Sequence, residues 1–134
     1  MKVLIVGSNP SSKNINPNIP FEGTKSLKAL QTWISFLEIN NYQIVNIFDE
    51  VTDNNRPLTK REIKRCLLSF RKKLDNLEYD KIIALGSSAS VALTLLKLDH
   101  YKMFHPSPRN RQLNSKELVD NKLKECKIYL YENN

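Results

Sequence analysis

Two five-residue runs, KVLIV at 2–6 and KIIAL at 81–85, are apolar without alternation. A strand of this kind has no solvent face, so it belongs in a parallel sheet covered on both sides. YQIVNIF at 42–48 and YKMF at 101–104 read as two further strands. Between the first two strands, Leu27, Leu30, Trp33, Ile34 and Leu37 recur at helical spacing, which predicts a helix over 26–38 broken by Asn40-Asn41. Thr59 with Glu62 three residues on forms a capping box, and Ile63, Leu67, Phe70, Leu74 and Leu77 are the inner stripe of the helix it opens. An Ala- and Leu-rich helix follows Gly86-Ser87-Ser88-Ala89 and ends near Leu98. A last helix over 115–124 and a strand over 127–131 complete the series. The order β-α-β-α-β-α-β-α-β, with right-handed crossovers, gives an α/β fold: a three-layer α/β/α sandwich with a central, mainly parallel four- to five-stranded sheet. At 134 residues, 40% of them hydrophobic, the chain is the size of one domain, residues 1–134.

Polar, turn-forming clusters follow the strands. Gly7-Ser8-Asn9-Pro10-Ser11 ends the first and opens an aperiodic loop over 8–23, and His105-Pro106-Ser107-Pro108 ends the fourth. Asn46 lies late in the second strand, and Gly86-Ser87-Ser88 turns from the third strand into a helix whose N–H groups suit a phosphate. In an open α/β sheet these strand ends are where ligands bind, so segments distant in sequence converge there. Neither GxxxxGK[ST] nor GxGxxG is present.

Two cysteines and two histidines show no metal-ligand spacing, and Cys66 and Cys126 read as ordinary buried or half-buried thiols. No metal and no cofactor is expected. No apolar run has the length of a membrane span, and the first residues lack the pattern of a cleaved leader, so a cytoplasmic protein is expected. The net charge of +7 favours an acidic partner. The cations from Lys60 to Lys73 read as a solvated helix face rather than a DNA contact.

Taken in order, these segments resemble the uracil-DNA glycosylase superfamily. Gly7-Ser8-Asn9-Pro10-Ser11 is similar to its G-x-[DN]-P-x motif, and His105-Pro106-Ser107 to its H-P-S motif. Phe21 stands where the family has a stacking aromatic, and Asn46 where it has an asparagine ending the second strand. Residues 85–93 are similar to its LGxxAxxAL pattern. The resemblance covers residues 3 to about 114 and implies hydrolysis of the N-glycosidic bond of uracil, or of a related pyrimidine including a 5-substituted one, in flipped-out DNA.

It further implies that Asn9 and His105 are the catalytic residues, with His105 donating to the oxygen on which the leaving base accumulates charge. Ser8, Ser11, Phe21 and Asn46 would contact the base, Asn46 matching uracil N3–H and O4 together. Ser87, Ser88, Ser107, Arg109, Asn110 and Arg111 would meet DNA. Three departures matter. Asn9 replaces the aspartate of the family's most active branch, and an amide orients water without removing its proton. Ser11 replaces the tyrosine with which that branch excludes a 5-methyl group. The Arg109-Asn110-Arg111 segment also stands where the family often has a leucine wedge.

Read without the family, His105 is a strand-ending histidine bonded locally, Asn46 a cap on the turn after the second strand and Phe21 a loop aromatic covering the core edge. A catalytically weak or inactive nucleic-acid-binding module of the same fold therefore stands beside the glycosylase. A nucleoside or nucleotide hydrolase is a third reading, less suited to the arginines. The partner expected is DNA, and the chain is expected to be a monomer.

Overall fold

β1 (Val3–Gly7) is buried along its whole length, and its place in the sheet is the reason. In the structure, a computed structural model describing residues 1–14, 16 and 18–132, β1 pairs in parallel with β2 (Tyr42–Asn46) and with β3 (Lys81–Leu85). β3 pairs in parallel with β4 (Tyr101–Met103), giving the order β2-β1-β3-β4. The chain moves outward from β1 to β2 and then crosses back to β3, so the sheet reverses its winding between β1 and β3. That is the switch point at which α/β sheets open a crevice at their carboxyl edge.

Alternate residues of the strands feed two cores. Val3, Ile5, Ile83 and Leu85 pack beneath α1 (Lys25–Phe36) and α4 (Lys116–Tyr131), through Leu30, Trp33, Leu123, Cys126 and Leu130. Leu4, Val6, Ile82 and Ala84 pack beneath α2 (Lys60–Asp75) and α3 (Ser87–Leu95), through Ile63, Phe70, Leu74, Ala92 and Leu93. The three layers are those expected. Both cysteines are buried and free, and burial raises their pKa, that of Cys126 to about 12, so neither is a nucleophile.

The helix boundaries have local causes. Thr59 Oγ1 accepts from Glu62 N–H at 3.1 Å while Glu62 Oε1 accepts from Thr59 N–H at 2.9 Å, the capping box expected. α1 ends before Asn40-Asn41, because Glu38 turns into the left-handed region at φ 56° and Ile39 N–H reaches back to Ile34 O at 3.2 Å. α3 ends the same way at Lys97, with Leu98 N–H on Leu93 O at 3.0 Å.

The strand expected over 127–131 is not a strand. These residues are the last turns of α4, and the sheet has four strands. KIYLY has strand-like composition, but Leu123, Cys126 and Leu130 continue one helical stripe into the core, and that burial outweighs local β propensity. Among the described residues, no helix is long and apolar enough to cross a membrane, and no group of three or more His, Cys, Asp and Glu is placed to hold a metal ion.

Candidate active site

Register sets the site. Gly7 lies opposite Asn46 across the β1–β2 pair, and Gly86 N–H bonds Met103 O at 2.9 Å across β3 and β4, so all four strand ends share one edge. A cleft of about 640 Å³ opens there. Its size is that of a small-ligand site.

Glycines admit its two central side chains. A Cβ on Gly7 would lie 2.6 Å from Asn46 Oδ1 and 3.2 Å from Phe21 Cζ, so only glycine at the end of β1 lets those groups reach their places. A Cβ on Gly86 would lie 3.2 Å from His105 Cβ, and its φ of 91° with ψ of −178° is itself a glycine conformation.

Asn46 is buried, and its Oδ1 makes no hydrogen bond. Among the described residues only Glu22 Oε2 shares that condition. An unsatisfied buried acceptor costs about 1–3 kcal/mol, and the site retains it. Lys73 holds the strand end from behind, its Nζ donating to Asn46 O and to Asp49 Oδ1, both at 3.2 Å.

His105 receives a hydrogen bond from Ser107 N–H on its Nδ1 at 3.1 Å. Nδ1 is thus an acceptor, which leaves the proton of the neutral ring on Nε2. Burial pushes the imidazole below its ordinary value of 6.5, so it is neutral at pH 7. The second histidine is used in packing: His100 Nδ1 donates to Leu98 O at 2.9 Å, and its Nε2 lies 2.8 Å from Ser90 Oγ.

Phe21 is buried at the cleft with its ring 6.0 Å from that of His105, tilted by 53°. Its φ of 65° is left-handed, an uncommon conformation for a bulky residue, and is held by two bonds onto Phe21 O, from Thr24 Oγ1 at 2.7 Å and Thr24 N–H at 3.0 Å. The first loop is pinned further back. Asn14 Oδ1 accepts from Ser11 N–H at 3.1 Å, and Asn9 Nδ2 donates to Glu50 O at 3.0 Å. Asn9 Oδ1 accepts from Ser8 Oγ at 3.1 Å and keeps one lone pair.

Of the residues singled out in the sequence, Ser8, Asn9, Ser11, Phe21, Asn46, Ser87, Ser88, His105, Ser107, Arg109 and Asn110 line the cleft, and Arg111 does not. Asn110 spends its side chain on its own loop, Nδ2 donating to His105 O and Oδ1 accepting from Gln112 N–H, both at 3.1 Å. Lys13, Lys25, Thr52 and Asn55, none of them a sequence candidate, also line the cleft. Asn55 closes one rim by a reciprocal pair with Ser12: Oδ1 accepts from Ser12 N–H at 2.9 Å, and Nδ2 donates to Ser12 Oγ at 3.1 Å. No local motif announces these residues. Thr52 and Asn55 belong to the polar, Pro-containing loop of residues 49–58 after β2.

The arrangement offers a hydrogen-bond donor of neutral charge, a buried amide and an aromatic face around one cleft, with hydroxyls and cations at its mouth. No curated protein sequence matches the chain. A sequence model of the uracil DNA glycosylase superfamily matches residues 1–127. That span takes in the whole sheet and every cleft residue named above, and by it the chain belongs to the uracil DNA glycosylase superfamily.

Proposed function

We propose that the chain is a monofunctional DNA glycosylase that hydrolyses the N-glycosidic bond of uracil, or of a related pyrimidine including a 5-substituted one, and leaves an abasic site. Members of the superfamily are generally DNA glycosylases. The observation that carries the reading is the state of His105: Nδ1 occupied by Ser107 N–H, Nε2 left to donate, and the ring kept neutral by burial.

In the reaction the C1′–N1 bond breaks and its electron pair leaves with the base. His105 Nε2–H donates to the base oxygen that gains charge, and a donor already in place needs no reorganisation at that moment. Water adds to C1′ of the cationic sugar and releases a proton to solvent. Asn9 Oδ1 has one lone pair with which to orient that water but no basicity to deprotonate it, so hydrolysis is slow. Asn46 reads the Watson–Crick edge, Phe21 stacks on the flipped base, and the small Ser11 leaves room at C5. Ser87, Ser88, Ser107 and Arg109 meet the phosphates, Asn110 fixes the loop that carries His105, and Arg111, which does not line the cleft, is a further phosphate contact in this reading. The route needs no metal and no cofactor, and the chain acts as a monomer in the cytoplasm.

The test is incubation with single- and double-stranded oligonucleotides carrying one uracil, followed by alkali. Strand cleavage that disappears in His105→Ala with DNA affinity kept is the expected result. A binding module of the same fold is the second reading, favoured by an Asn9 amide already tied to Glu50 O and Ser8 Oγ. Salt-sensitive binding without base release at stoichiometric protein, across uracil and 5-substituted pyrimidines, would establish it instead.

A further inference from the structure

α2 carries seven cations and two acids, so one 16-residue helix holds five of the chain's seven net positive charges. Its inner stripe of Ile63, Cys66, Phe70 and Leu74 is buried, while Lys60, Arg61, Lys64, Arg65, Arg71 and Lys72 are exposed. None of these six makes a hydrogen bond or an ion pair through its side chain among the described residues. Of the helix's two acids, Glu62 pairs with Arg56 at 2.7 Å and caps the helix, and Asp75 is confined to the last residue, where it makes no ion pair among the described residues. A face that is merely solvated commonly interleaves opposite charges along its turns. This one does not.

The face also begins at the cleft. Asn55 and Pro57 line the cleft, Asn55 is bonded to Ser12 beside the cleft lysine Lys13, and Lys60 follows Pro57 by at most about 11 Å of chain. Lys13 and the start of α2 therefore flank the Ser12–Asn55 rim, which itself carries Asp53 and the Arg56–Glu62 pair. We propose that the outer face of α2 is a second DNA contact, gripping the phosphates of the strand that flanks the flipped nucleotide. The inference rests on the reading of the cleft as a DNA site, and it assigns to this helix the grip for which the cleft alone supplies only Lys13, Lys25 and Arg109. Sixteen residues of helix span about 24 Å, or about seven nucleotides of one strand.

Binding of undamaged DNA tests this apart from any chemistry. Wild type is compared with the triple variant Arg65→Gln, Arg71→Gln, Lys72→Gln, which keeps good helix formers at all three positions. The DNAs are a duplex of about 20 base pairs and a five-nucleotide oligomer too short to fill both contacts at seven nucleotides per helix face. On the duplex, the variant loses about eightfold in affinity at 0.1 M salt for each phosphate contact removed, and the salt slope falls by about 0.9 per contact. On the short oligomer it matches wild type. Leu68→Asp, which puts a carboxylate at the most exposed large apolar residue of this face, weakens duplex binding without removing any cation. Duplex affinity and slope unchanged in both variants would overturn the proposal and leave the face to an acidic protein partner. Absence of duplex binding by wild type would overturn it too. Base release has no part in these readouts, so wild type that binds the duplex in this way but frees no base sinks the glycosylase reading alone.

Discussion

Gly86 and His105 are locked together: a Cβ on the glycine would lie 3.2 Å from the histidine Cβ and 3.6 Å from its Cδ2. The residue after β3 thereby fixes how far the imidazole stands from the sheet. Gly86→Ala must push the ring away and must also hold alanine at φ 91°, a conformation that costs about 1–3 kcal/mol. The variant is expected to unfold at lower urea by that amount and to lose base excision more steeply than its stability predicts. A normal excision rate in folded Gly86→Ala would show that His105 is not placed by this contact.

Asn46→Leu separates function from stability. Leucine has nearly the shape of asparagine and removes an acceptor that is buried without a partner. Urea unfolding is therefore expected to show stability unchanged or raised by up to about 1–2 kcal/mol, because no made hydrogen bond is lost. Single-turnover excision of uracil should fall to background. A large loss of stability would mean that the amide is part of the core's hydrogen bonding after all.

The pH dependence follows from His105. Burial lowers its pKa below 6.5, so the proton is bound more weakly in the folded chain than in the unfolded one. The stability due to this group is complete above about 6.5 and is lost as pH falls through the lower folded value. Protonation at Nδ1 also ends its bond from Ser107 N–H, so the ring loses the contact that places it although Nε2 keeps its proton. Excision should stay level from pH 8 to 6.5 and decline only in more acid solution, in step with the His105 Cε1–H shift in NMR. An acid limb centred above 6.5 would contradict this.

Asn9→Asp gives the site a base and takes away a donor. General-base catalysis contributes about 10²-fold or more, so single-turnover excision is expected to accelerate. The aspartate cannot donate to Glu50 O as Asn9 Nδ2 does, and lost bonding there should lower stability by about 1 kcal/mol. Faster chemistry with a lower unfolding midpoint is the expected pair of results. Acceleration failing in a folded variant would place the attacking water away from residue 9.

The sheet was legible because KVLIV and KIIAL have no polar face to misread, and the capping box at Thr59 and Glu62 is a contiguous signal. The chain was misread at 127–131, where aromatic and β-branched composition hid a stripe that begins at Leu123. In the site, the residues that end strands could be named from the sequence, since a parallel sheet brings its carboxyl ends to one edge. The rim could not. Ser12 and Asn55 are 43 residues apart and meet only because β1 and β2 are neighbours. The His105 tautomer was likewise invisible, since it depends on where Ser107 N–H points. Asn110, expected to meet DNA, spends both ends of its amide on its own loop, a use that only the fold reveals.

The Ser12–Asn55 pair has a consequence for how such chains diverge. It joins the loop leaving β1 to the loop leaving β2, so neither segment is free to lengthen, shorten or change its polar residue alone. Drift at position 12 that removes the hydroxyl strands the Asn55 amide in its left-handed turn, and glycine then becomes the easier residue at 55. Across related chains the two positions should accordingly vary as a couple, and the width of the cleft's mouth should be inherited with them.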